Sequence, residues 1–313
     1  MSLADRPAAG LYVAAWALGG IGVAALVIGL AADSPLRGIL VMAALAALLL
    51  GIVAAAGYQL IARRGRAVER YRGPAPLVLF FFQFALVNAV SLVIYALGAP
   101  LPDNPAGFLI ATVVLLVGYV AVVWLFVVRT GALGWREIVR AQPLDASRVA
   151  FDIAIGAATM FGVALVAGIL GGLLARLMDT QAPDVVPAPT TSLDILMVAV
   201  GAGLLVPIGE ELFFRGFTLT AWLRDLGPRS ALIRATVFFA LVHIVTLSSD
   251  TFLNGVKQAV LVLAVIGPVG LALGWLYLRR GLVASIAGHA AFNLFGLLVL
   301  VLAQYLPPPG TTG

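Results

Sequence analysis

Nine long apolar runs separated by short polar breaks constrain this chain more than any other feature. They lie at residues 11–32, 38–62, 76–98, 107–128, 151–175, 193–222, 230–247, 258–278 and 282–306. Only 11% of the 313 residues are charged and 62% are hydrophobic, whereas a water-soluble chain carries about 25% charged residues. That leaves too little polar surface for a fold in water, so the solvent for these runs is lipid. Lipid offers no partner to a backbone N–H or C=O, and a helix pairs both within one segment. Runs of roughly 18 to 25 residues fit spanning helices, while a barrel shows shorter alternating segments. The expected fold is an all-α, polytopic transmembrane helix bundle of about nine spans.

The breaks have suitable chemistry: Arg63, Arg64 and Arg66 in one, Pro100, Pro102, Asn104 and Pro105 in another, and a Pro/Asp/Thr-rich stretch over 179–194. Orientation follows from the positive-inside rule. With the N-terminus cytoplasmic, that side collects Arg6; Arg63, Arg64, Arg66, Arg70 and Arg72; Arg129, Arg136, Arg140 and Arg148; Arg224, Arg229 and Arg234; and Arg279 and Arg280. The opposite side holds only Arg37, Arg176 and Lys257, together with the acids Asp33, Asp103, Asp179, Asp184 and Asp250. The expectation is N-in/C-out, and losing one span would scramble the alternation. Residues 1–150 form an N-terminal region of four spans and a cytoplasmic loop, and residues 151–313 form a C-terminal region. Within the loop, Trp135, Ile138 and Val139 among basic residues fit an interfacial amphipathic helix or, equally, a solvated loop.

The net charge of +5 would point to nucleic acid in a soluble protein, but here the arginines sit in the loops and set topology. A nucleic-acid partner is not expected; lipid is. With no cysteine in the chain, disulfides, thiolate nucleophiles and thiolate metal sites are excluded. The first run, about 22 residues long, exceeds the apolar core of a cleaved signal peptide and is taken as an uncleaved span. A composition rich in Ala, Gly, Val, Leu and Arg is that of a bacterial, high-GC protein, which places the expected location in the plasma (cytoplasmic) membrane.

Ionisable side chains inside spans are costly and mark function by default, and they concentrate after residue 193. The sixth run contains Glu210, Glu211 and Arg215. Glu211 and Arg215, at i and i+4, share a helical face and can offset each other's burial. Glu210 points about 100° away and must find a partner on another helix, water or a proton. A carboxyl so placed suits a general base. The two histidines of the chain follow: His243 in the seventh run, after Phe239, and His289 in the ninth, with Asn293 one turn on. Each histidine lies nine residues past an arginine, Arg234 or Arg280, and so ~13 Å from the helix end. Glu210, 14 residues from Arg224, stands at ~21 Å. Matching depths therefore require the chain after Gly216 to lie partly along the interface. For a single histidine or for Asn293, an interhelical hydrogen bond is the competing interpretation; for Glu211–Arg215 it is a buried structural clamp.

At these residues the chain resembles the CPBP (CAAX protease and bacteriocin-processing, Abi) family of intramembrane proteases, whose pattern is Glu-Glu-x-x-x-Arg, Phe-x-x-x-His and His-x-x-x-Asn/Asp on successive helices. Glu210-Glu211-x-x-x-Arg215, Phe239-x-x-x-His243 and His289-x-x-x-Asn293 match it in order, over roughly 193–300. The resemblance implies an intramembrane endopeptidase acting on membrane-anchored or membrane-associated peptide. It makes Glu210, Glu211, Arg215, His243, His289 and Asn293 the site: Glu210 activates water with help from His243, while His289 and Asn293 polarise the scissile carbonyl. Zinc on Glu210, His243 and His289 would satisfy a three-ligand catalytic site, but there is no His-Glu-x-x-His spacing, and Asn suits an oxyanion donor better than a ligand. Metal-free chemistry is the preferred expectation, with zinc the alternative. Two other classes remain: a non-catalytic immunity or scaffold protein, and a proton-coupled transporter, which repeated halves would have marked. No such repeat is visible.

Overall fold

The computed structural model describes residues 6–31, 36–140, 145–181, 183, 186–245, 247, 249 and 251–304. Asp33, Asp184, Asp250 and the last two residues of the ninth apolar run lie outside them. The described residues are helical, without strands, and contain nine helices long and apolar enough to cross a membrane. These are α1 (Ala9–Ala31), α2 (Leu36–Ala62), α3 (Pro76–Ala96), α4 (Pro105–Val128), α6 (Ala146–Leu177), α7 (Ser192–Leu226), α8 (Pro228–Val245), α9 (Phe252–Arg280) and α10 (Leu282–Ala303). A five-residue helix, α5 (Trp135–Val139), falls between α4 and α6. All nine expected spans are present.

The chain divides into two compact units: Met1–Leu101 with Val117–Trp135, and Pro102–Leu116 with Arg136–Gly313. In the first, α1 and α2 approach so closely that a Cβ on Gly51 would lie 2.9 Å from the backbone nitrogen of Gly19. Small residues give such close contact in lipid, where packing rather than water exclusion drives association.

The second unit carries the ionisable cluster. Its core is built by α6 and α9 through Met160, Ala167, Val269, Leu273 and Leu276, with Phe292 of α10 packed against them. Helix α10 crosses α6 at glycines: a Cβ on Gly156 would run into the Ala284 carbonyl, and one on Gly288 would meet Met160 Cγ at 2.7 Å. Caps set the ends. Asp145 accepts from the Ser147 N–H to start α6, and hydrogen bonds from the Ser147 hydroxyl and backbone hold its carboxyl below the ordinary range. Thr191 and Asp194 form a capping box at the start of α7. Gly281, at φ 89°, separates α9 from α10 in a conformation that favours glycine.

The loop ahead of α6 is helical over Trp135–Val139, the residues expected to form an amphipathic helix. Ile138 of α5 is fully buried, packed where a Cβ on Gly216 would meet its Cγ2 at 2.8 Å. The Tyr277 hydroxyl donates to the Ile138 carbonyl at 2.8 Å, and Arg224 pairs with Glu137. This part of the loop docks on α7 and α9.

Candidate active site

Helix α7 is not a uniform α-helix. Glu210 and Glu211 end the α-helical stretch Val206–Glu211, which lies between π-helical stretches at Gly201–Leu205 and Leu212–Leu219. A π-turn widens the helix and re-aims the side chains around it, and such turns occur frequently at functional sites. The chain after Gly216 continues as helix through Leu226, and Glu210 reaches the level of His289.

Glu211 is the hub. Its side chain is 0% exposed, and Arg215, 2% exposed, donates from Nη1 to Oε1 at 2.7 Å. Arg215 Nη2 donates to the Gly270 carbonyl of α9 at 3.2 Å, and the guanidinium lies 4.0 Å over the Phe239 ring. Helix α10 supplies the other donors, His289 Nδ1 to Oε1 at 2.8 Å and the Ser285 hydroxyl to Oε2. An ion pair taken out of water is tolerable only when its remaining lone pairs and protons are also satisfied, and here four elements contribute to that.

These bonds fix the imidazole tautomers. A carboxylate paired with Arg215 only accepts, so His289 Nδ1 carries the proton and Nε2 is left as the other face of the ring. That Nε2 lies 4.0 Å from Glu210 Oε2, with side-chain exposures of 6% and 14%. Glu210 Oε2 is buried and has no hydrogen-bond partner among the described residues. His243 Nδ1 faces the Phe239 carbonyl at 2.8 Å, which can only accept, so its proton also sits on Nδ1. The Phe239 ring stands edge-on to both imidazoles, with centroids 4.6 Å from His243 and 6.1 Å from His289. Asn293 Nδ2 donates to the Ala202 carbonyl, in the first π-stretch, at 2.7 Å.

Glu210, Glu211, Arg215 and His289 thus form one connected cluster. His243 joins it through Phe239, and Asn293 reaches α7 at Ala202 rather than at either glutamate. Ser285 and the Gly270 and Ala202 carbonyls were not singled out from sequence. Ser285 could have been, since Ser285, His289 and Asn293 recur every fourth residue along one face of α10. Among the described residues no three His, Asp or Glu side chains are grouped to hold a metal ion. As arranged, Glu210, His243 and His289 do not fit a three-ligand zinc site.

A bundle of spanning helices enclosing buried glutamates, an arginine and a histidine defines a multi-pass membrane protein with a polar site inside its helix bundle. Residues 192–295, about a third of the chain, match the family model described as Type II CAAX prenyl endopeptidase Rce1-like. Over α7 to α10 the chain is therefore similar to a CAAX-protease domain, in a segment containing all three motifs, and this supports an intramembrane protease activity in general. Comparison with curated proteins and with solved structures gave no match.

Proposed function

We propose that the chain is an intramembrane endopeptidase that hydrolyses peptide bonds in membrane-anchored or membrane-associated peptides, with Glu210 as the base. One observation carries this: Glu210 Oε2, buried and without a hydrogen-bond partner among the described residues, stands 4.0 Å from His289 Nε2. A carboxylate oxygen and an imidazole lone pair both accept. One water donating to each, over arms of about 2.8 Å, spans such a gap.

The chemistry then follows the order of charge development. The water oxygen attacks the scissile carbonyl carbon while its proton passes to Glu210, and the carbonyl electron pair moves onto oxygen. Glu211 on Nδ1 fixes the His289 ring and its tautomer, so that Nε2 stays an acceptor aimed at the water, as a carboxylate orients a catalytic histidine. Asn293 gives one amide N–H to Ala202 and has a second for the oxyanion. Collapse breaks the C–N bond, and the proton held by Glu210 goes to the leaving amine. The family resemblance gives His243 the place beside Glu210 and puts His289 with Asn293 at the carbonyl. The 4.0 Å approach favours His289 for the shared water, with His243 supporting it across Phe239. The family name adds a substrate class, a peptide held at the membrane by a lipid anchor.

Purified protein in nanodiscs, offered a library of lipid-anchored peptides and followed by mass spectrometry, tests the proposal. Wild type is expected to release fragments, and Glu210→Ala or His289→Ala to abolish release while inserting normally. Wild-type turnover by either variant removes that residue from the chemistry. A scaffold protein would instead keep its cellular effect with Glu210→Gln.

A further inference from the structure

Among the described residues the Glu211 carboxylate has three donors, and they are unequally distributed. Oε1 receives Arg215 and His289, whereas the donor to Oε2 is the Ser285 hydroxyl. Ser285 is 0% exposed and also lies 3.2 Å from the Leu273 carbonyl. A hydroxyl has one proton, and the anionic carboxylate is the nearer and stronger acceptor. Ser285 and His289 are one turn apart on α10, so a single helical face grips both oxygens of one carboxylate. Pinning Oε2 stops rotation about the terminal carbon–carbon bond, and that rotation sets where Oε1 meets His289 Nδ1.

We propose that Ser285 is a positioning residue: through Glu211 it holds His289 as the Nδ1–H tautomer with Nε2 turned to Glu210. The proposal rests on the assignment of Glu210 and His289 as the reacting pair. Ser285 touches neither the proposed water nor the scissile bond. Its contribution is to the orientation of the ring, and misplacing a reacting group by about an ångström can cost on the order of 100-fold in rate. Without the hydroxyl, Oε2 would be left in a buried site with no donor. The carboxylate would then turn to share Arg215 differently, and the ring would lose its fixed partner.

The chain has only two histidines, so selective 15N-histidine labelling reports two imidazoles, and a His243→Gln variant assigns them. In wild type, His289 is expected as the Nδ1–H tautomer with a slowly exchanging, strongly hydrogen-bonded proton. In Ser285→Ala that signature should broaden or give way to a tautomer mixture, and kcat should fall on the order of 10- to 100-fold with KM nearly unchanged. Ser285→Thr, which keeps the hydroxyl, should retain both signature and kcat. A wild-type His289 found as the Nε2–H tautomer overturns the proposal without any variant. So does a Ser285→Ala protein with unchanged imidazole signals and kcat, or equal losses in the Ala and Thr variants, which would assign the effect to packing. If wild type cleaves no peptide, the protease assignment fails while the tautomer and its dependence on Ser285 are still measured.

Discussion

At the scale of single residues, the buried Glu211–Arg215 pair is an ion pair that also holds His289 of the proposed site. Replacing one member of such a pair leaves an uncompensated charge and costs about 3–5 kcal/mol, whereas replacing both with apolar groups of similar volume is often neutral or stabilising. Arg215→Met alone should therefore lower the thermal unfolding temperature in detergent sharply, and Glu211→Leu with Arg215→Met should recover most of the loss but no peptide cleavage. A double variant as unstable as the single one would contradict the account of the pair. The pair itself was legible from its i, i+4 spacing, and Glu210 from having no partner at that spacing. Ser285 was not, because a small neutral hydroxyl inside an apolar run carries no mark of cost. The Ala202 and Gly270 carbonyls were invisible in principle, since every residue has one and only packing selects which is used.

Among the helices, glycines decide how near the polar side chains come. Gly156 faces the Ala284 carbonyl, next in sequence to Ser285, and Gly288 beside His289 lies against Met160. In an exposed helix Gly→Ala is favourable by roughly 0.5–1 kcal/mol. At residue 156 the added methyl meets backbone, which cannot rotate away, and overpacking of this kind costs about 1–3 kcal/mol. Gly156→Ala is expected to unfold at lower temperature and to cleave more slowly, whereas Gly162→Ala, on the same helix with nothing within 4 Å, is expected to do neither. Equal behaviour of the two variants would show that the α6–α10 approach does not matter. The spans were legible as apolar runs, and their ends shifted by up to six residues because caps override hydropathy, as Asp145 does at the start of α6. The π-stretches on either side of the glutamates were not legible. They lie where α7 packs closely, against α10 at Gly203 and against α5 at Gly216, and no residue type announces them. The same holds for α5, where Ile138 is buried through a contact that needs Gly216 to lack a side chain.

On the scale of the whole molecule, the proposed chemistry belongs to one compact unit. Every member of the cluster, from Glu210 to Asn293, lies in the unit that includes Arg136–Gly313, and the family match ends within its last helix. Apolar composition fixed the number of spans among the described residues, and the three motifs pointed to the residues of the proposed site. Which imidazole meets Glu210 depended on tertiary approach, since helix-end counting put the glutamate and the histidines at different depths. The central claim is that Glu210 and His289 act on one shared water, and a double-mutant cycle tests it most directly. Single-turnover cleavage of one peptide would be measured for wild type, Glu210→Gln, His289→Gln and the double variant. Groups that act as a unit are grossly non-additive, so each single variant should lose nearly all activity and the double variant should be scarcely slower than either. Losses that multiply in the double variant would mean that the two residues act independently, and the shared site would have to be abandoned.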